Sequence, residues 1–300
     1  MIIDKLHEIV DKKGPVCVGL DTAIEYLPES FLKKYNYIDH ALYRFNERII
    51  DATFDIAGCY KVQIAYYEAL GTLGLEVYKN TLKYIREKGG IVIGDIKRGD
   101  IAATASMYAK AHFTGDFECD FVTLNPYMGL DSIEPYLKYV ESGEKGIFAL
   151  VRTSNKGAKD IQYIDSNGEK VYEIVGDKIN QLGKKYVGSC GYSAIGGVVG
   201  CTHRDEAMEI RKRLGSTYFL IPGYGAQGGT AEDVALYMKN GNGGVVNSSR
   251  GILLAYKNQE GRENDFELCA REEVLRIREE LNKALGGKEN EHKLWTAYSA

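Results

Sequence analysis

Residues 91–112 read IVIGDIKRGDIAATASMYAKAH. The first seven form a short apolar run, Gly99 interrupts the chain, and 101–112 carry a helical pattern. Side chains alternate across a strand, so Ile91, Ile93, Asp95 and Lys97 share one face, and Val92, Gly94 and Ile96 share the other. Helices can cover the second face. The first face carries an acid and an amine at its carboxyl end. Outward from this strand–turn–helix unit, the pattern repeats in both directions. Strand-like runs fall at 16–22, 60–66, 91–97, 121–126, 146–154, 195–202, 218–223 and 244–249. Helical patterns fall at 41–57, 67–88, 101–112, 131–141, 172–186, 204–214, 231–239 and 267–285. Such alternation predicts parallel strands. Eight repeats predict an α/β chain folded as a (β/α)8 TIM barrel, a fold of about 250 residues. The competing open doubly wound sheet lacks its G-x-G-x-x-G after the first strand. Thr202 with Asp205, and Thr230 with Asp233, read as capping boxes at helix starts.

The barrel is expected to be a single domain over 1–285, followed by a tail at 286–300. Segment 155–173, after the fifth strand, exceeds a minimal barrel and reads as a hairpin turning at Asn167-Gly168. It lies on the rim where such barrels do chemistry, so it either covers the site or is a surface excursion. Lys and Arg total 38 against 42 Asp and Glu, a net charge of −4, which argues against a nucleic-acid partner. The opening MIIDKLHEIVDKKG reads as an amphipathic helix, not a signal peptide. No uncharged stretch resembles a membrane span of about 20 apolar residues. The six cysteines, Cys17, Cys59, Cys119, Cys190, Cys201 and Cys269, form no C-x-x-C pair. Reduced thiols and a cytoplasmic location are expected.

Polar residues gather where the strands end. The first strand ends in Asp21, the second carries Lys61, and the third ends in Asp95 and Lys97, with Asp100 following at a helix start that favours a carboxylate. Loops after the seventh and eighth strands commonly hold phosphate in these barrels. Here they supply Gly225, Gln227, Gly228 and Gly229, then Arg250, whose planar fork suits phosphate oxygens. His203 reads as a helix-start residue. His7, His40, His112 and His292 show no metal-ligand spacing, and Cys201 has no base partner in the pattern. No thiamine, pyridoxal or metal signature is evident, so no cofactor and no metal are expected.

The stretch 94–101, GDIKRGDI, followed by Thr104, resembles the signature of the orotidine 5′-phosphate decarboxylase family. PGYGAQGG (222–229), the turn Ser249-Arg250-Gly251, VGLDT (18–22) and YKVQIAYYEALG (60–71) resemble further segments of it, in order. The length and the KRGDI wording resemble its longer bacterial branch. The resemblance implies decarboxylation of orotidine 5′-monophosphate to uridine 5′-monophosphate and CO2, the last step of pyrimidine nucleotide synthesis. It implies an array of Lys61, Asp95, Lys97 and Asp100 in which Lys97 protonates C6 and Asp95 faces the departing carboxylate. Asp21 and Lys61 would hold ribose hydroxyls, and Ser154 the pyrimidine edge. Gln227, the adjacent backbone amides at Gly228 and Gly229, and Arg250 would hold the phosphate. Asp100, Ile101 and Thr104 would enter the neighbouring subunit's site, making a homodimer. Two other readings stay open: a metal-dependent keto-sugar-phosphate lyase on the same barrel, and a nucleotide-phosphate binding protein without activity.

Overall fold

The computed structural model describes residues 1–202 and 204–286. At its centre, eight parallel strands close into a barrel in which each pairs with its sequence neighbours. They are β1 (Val16–Leu20), β2 (Cys59–Gln63), β3 (Val92–Arg98), β4 (Phe121–Leu124), β5 (Gly146–Arg152), β6 (Ser193–Val199), β7 (Thr217–Pro222) and β8 (Gly244–Ser248). The seam between β1 and β8 pairs Val16 with Val246 and Cys17 with Asn247. Every predicted run holds one strand, and the polar residues at several run ends lie just past the ladder.

Helix α1 (Ile2–Lys13) precedes the barrel and buries Ile2, Ile3, Leu6 and Val10, the stripe expected of an amphipathic helix. The surrounding helices are α2 (Ile38–Thr53), α3 (Gly71–Glu87), α4 (Ala102–Phe113), α5 (Glu134–Val140), α6 (Val171–Gly183), α7 (Arg204–Arg213), α8 (Ala231–Ala235) and α9 (Phe266–Ala284). Three patterns were read too long. The one at 67–88 is two helices, Ile64–Glu68 and α3, because the chain turns at Gly71 with φ 65°, which an L side chain resists. The one at 131–141 starts later as α5, with Pro135 in its first turn. The one at 231–239 stops early, at Ala235, and the chain turns further on at Asn240 and Gly241, both with positive φ. Thr230 and Asp233 do form a capping box at α8. His203 and the tail from 287 onward lie outside the described residues.

The barrel interior is closed by large side chains set against glycines. Phe121 and Phe148 lie 5.1 Å apart between ring centres. A Cβ on Gly146 would fall 2.2 Å from the Phe121 ring, and one on Gly196 2.7 Å from Phe148. Burying each phenylalanine contributes roughly 1.5–3 kcal/mol, and the glycines give the rings room. All six cysteines are free thiols, five of them buried.

The segment after β5 folds as a 3-10 turn (Lys156–Asp160) and a hairpin pairing Asp165–Ser166 with Glu169–Lys170. Asn167 and Gly168 at its tip have φ of 58° and 86°, the two positive values of a type I′ turn. The tip is exposed, while Asn155, Gly157, Ala158, Ile161 and Gln162 at its base line the central cavity. The segment is therefore both a site wall and a surface excursion.

Candidate active site

A cavity of about 760 Å³ opens at the carboxyl ends of the strands. Its floor carries a chain of alternating charges. Lys61 Nζ on β2 lies 2.8 Å from Asp21 Oδ1 and 2.9 Å from Asp95 Oδ2. Lys97 Nζ lies 2.5 Å from Asp95 Oδ1. Ser249 Oγ donates to Asp21 Oδ2 at 3.0 Å, and Asn247 Nδ2 donates to Ser249 Oγ at 3.2 Å. The line thus runs from β8 across β1 and β2 to β3. A Cβ at Gly19 would sit 1.9 Å from Ser249 Oγ, so only glycine leaves room for that link.

Burial alone would drive Lys61 toward its neutral form, but Asp21 and Asp95 outweigh it and hold the ammonium pKa well above its ordinary value. Burial likewise opposes ionisation of Asp95, yet Lys61 and Lys97 hold its carboxyl well below the usual carboxylate range. Gln63 Nε2 and Thr123 Oγ1 also donate to Asp95, at 2.9 and 2.8 Å, so each carboxylate oxygen accepts two bonds. Lys97 is the accessible end of the line: its side chain is 45% exposed, against 5% for Lys61.

Alternation along β3 holds as far as Asp95 and then breaks. The register with β4 shifts between Gly94 and Arg98, and Lys97 has φ 44°. A lysine in that left-handed region costs of order 1–3 kcal/mol and persists only when its surroundings over-determine it. Ala102, at the other end of the following loop, has φ 49°. Between them, Asp100 Oδ1 accepts a bond from Ile101 N at 2.8 Å. Asp100, Ile101 and Thr104 do not line their own chain's cavity, and Ile101 and Thr104 are exposed.

Ser154, Gln227 and Arg250 line the cavity; Gly228 and Gly229 do not. The amides of Gly225, Gly228 and Gly229 donate to the carbonyls of Gly229, Gly225 and Gly223, at 2.9, 2.8 and 3.1 Å. These glycine amides are satisfied within the loop, and the polar side chains that it and the end of β8 present to the cavity are Tyr224, Gln227, Asn247, Ser248, Ser249 and Arg250. Burial pushes the Cys201 thiol up to about 12, which removes it as a nucleophile. Beneath the wall, Arg152 is fully buried: Nε bonds Glu206 Oε2 at 3.1 Å, and Nη2 bonds the Tyr163 hydroxyl, which in turn donates to Glu206. Sequence reasoning gave no role to Gln63 and Thr123, and marked Arg152 and Asn247 only as part of the polar strand ends RTSN (152–155) and NSSRG (247–251). Gln63 had a signal, a polar residue ending an otherwise apolar strand; Thr123 had none, since threonine is an ordinary strand residue.

A (β/α)8 barrel with alternating ammonium and carboxylate groups at its mouth and an arginine on the eighth-strand loop defines an enzyme for a small anionic substrate. Residues 14–263 match the model of the orotidine 5′-phosphate decarboxylase / HUMPS family, and the chain belongs to that family. It is 64% identical over 286 residues to the orotidine 5′-phosphate decarboxylase of Clostridium perfringens, covering 95% of this chain and 99% of that one. It is 63% identical over 289 residues to the enzyme of that name from Clostridium tetani, covering 96% and 100%. A crystal structure of a protein from Toxoplasma gondii, described as a putative orotidine-monophosphate decarboxylase, superposes with a TM-score of 0.79 at 31% identity, covering 95% and 96%.

Proposed function

We propose that this chain converts orotidine 5′-monophosphate to uridine 5′-monophosphate and CO2 with Lys97 as the proton donor, in the synthesis of pyrimidine nucleotides. Family membership and relatives of that name at 63–64% identity along nearly the whole chain support the reaction. The observation that carries the mechanism is Lys97 Nζ, 2.5 Å from Asp95, at the accessible end of a buried charge line. The bond from C6 to the carboxylate breaks, and its electron pair stays on C6. Lys97 donates a proton to that carbon. A fixed ammonium stabilises the developing charge without reorganising at the moment of reaction. Lys61, kept charged between two acids, and Gln63 keep Asp95 in place while Lys97 gives up its proton. Asp21 and Lys61 receive the ribose hydroxyls, Ser154 the pyrimidine edge, and Gln227 and Arg250 the phosphate. Binding energy from the distant phosphate is then available to order the reacting end.

The working unit is a homodimer in which Asp100, Ile101 and Thr104 complete the neighbouring site. They stand outside their own cavity, and the adjoining surface exposes Ile101 (44%), Met107 (62%), Tyr127 (77%) and Met128 (51%). No helix among the described residues is long and apolar enough to cross a membrane. The free thiols suit a reducing cytoplasm. The keto-sugar-phosphate lyase is disfavoured because the neighbours of Asp21 are an ammonium and a hydroxyl, not a second carboxylate. A spectrophotometric assay with orotidine 5′-monophosphate, run with and without a chelator, tests the reading. Wild-type protein should turn over in both conditions, and Lys97→Ala should lose turnover while still binding uridine 5′-monophosphate. A Lys97→Ala rate near wild type would overturn the donor assignment.

A further inference from the structure

Lys97 adopts a backbone conformation that lysine resists, so something must hold it there. The nearest restraint is Thr123 on β4. Its Oγ1 accepts the backbone N–H of Lys97 at 2.9 Å and donates to Asp95 Oδ1 at 2.8 Å. A hydroxyl has one hydrogen. With the Lys97 amide approaching its lone pairs, that hydrogen is directed at the carboxylate. One buried side chain thereby fixes the backbone of the amine-bearing residue and the carboxylate that the amine contacts. The neighbouring restraints act only on backbone: Asn125 N bonds Arg98 O at 2.8 Å, and Arg98 Nη1 bonds Ile96 O at 3.2 Å.

We infer that Thr123 is a positioning residue for proton transfer, its hydroxyl setting the Lys97 ammonium and the Asp95 carboxylate in one fixed relation. The hydroxyl acts through these two groups. Its loss lets the Lys97 backbone relax and leaves one Asp95 oxygen a donor short. The inference rests on the reading of Lys97 as proton donor.

Thr123→Val keeps the shape and removes the hydroxyl. Its kcat should fall about 10–100-fold, the cost of a displacement near 1 Å at a reacting group. Its KM for orotidine 5′-monophosphate and its affinity for uridine 5′-monophosphate should stay within about twofold, since neither bond of the hydroxyl goes to a substrate-holding group. Thr123→Ser, which restores the hydroxyl, should recover kcat to within about threefold of wild type. If the valine protein does not fold, Thr123→Ala takes its place with the same expected loss. Lys97→Ala in the same assay separates the two ideas. If Lys97→Ala is inactive and Thr123→Val turns over at the wild-type rate, the inference falls and the donor assignment stands. If Lys97→Ala keeps its rate, both fall. A serine variant as slow as valine, or a parallel decline of kcat, nucleotide affinity and melting temperature, would mark Thr123 as a packing residue and overturn the inference.

Discussion

Replacing Arg152 by Met removes the charge that ties the wall at 155–173 to the barrel. The guanidinium is fully buried and bonds Glu206 Oε2 at 3.1 Å, the Thr153 carbonyl at 2.5 Å and the Tyr163 hydroxyl. The Glu206 side chain is only 18% exposed, so its carboxylate would be left desolvated. Removing one partner of a buried ion pair costs about 3–5 kcal/mol. Lys170 Nζ, 3.6 Å from Glu206 Oε1, remains as a weaker counter-ion and puts the cost near the lower end, about 3 kcal/mol. At about 2–4 °C per kcal/mol for a domain of this size, the melting temperature should drop by roughly 6–12 °C. The double variant Arg152→Met/Glu206→Leu removes both charges and should recover most of that loss, because a buried pair and apolar residues of similar volume are often equivalent in stability. The single variant leaves Tyr163 bonded only to Glu206 and the double variant frees it, so both should raise KM, the double more, by loosening the wall that bears Ser154. Thermal melts followed by steady-state kinetics read the two effects separately. A double variant no more stable than the single would refute the assignment of the cost to an orphaned carboxylate. An unchanged KM in both would refute the coupling of this cluster to the wall.

Arg250→Ala should weaken binding of uridine 5′-monophosphate by at least tenfold and leave uridine unaffected, measured by calorimetric titration; an equal loss for both would remove the phosphate role. Mixing inactive Lys97→Ala chains with inactive Asp100→Asn chains should regain partial activity, since one hybrid site then holds both native groups. A verified hybrid dimer that stays inactive would count against shared sites.

The barrel was legible because its signal is distributed. Eight apolar runs separated by amphipathic stretches leave few other folds, and a misplaced helix end does not alter the count. Helix limits were lost to local turn chemistry at Gly71 and Pro135, which periodicity averages away. Asp21, Lys61, Asp95 and Lys97 were legible as polar residues ending strands that a core would not choose. The lysine's left-handed backbone was not, because alternation presumes an unbroken ladder and the shift lies between Gly94 and Arg98. Thr123 was hidden for a related reason. A threonine is an ordinary strand residue, and only the register of β3 against β4 reveals that its hydroxyl meets two partners. The amides of 228–229 show the opposite error: glycine content marks a loop able to approach an anion, but says nothing of which carbonyls those amides meet first.

The seam of the barrel joins its first strand to its last. The Asp21–Ser249 bond spans 228 positions, and β8 supplies both Asn247 and the arginine turn. A ribosome delivers that strand late, long after β1 has emerged, so the nascent polypeptide holds Asp21 without its counterpart through most of its synthesis. Catalytic competence therefore waits for β8, and a product truncated before that strand is expected to be inert, however well its first strands pair.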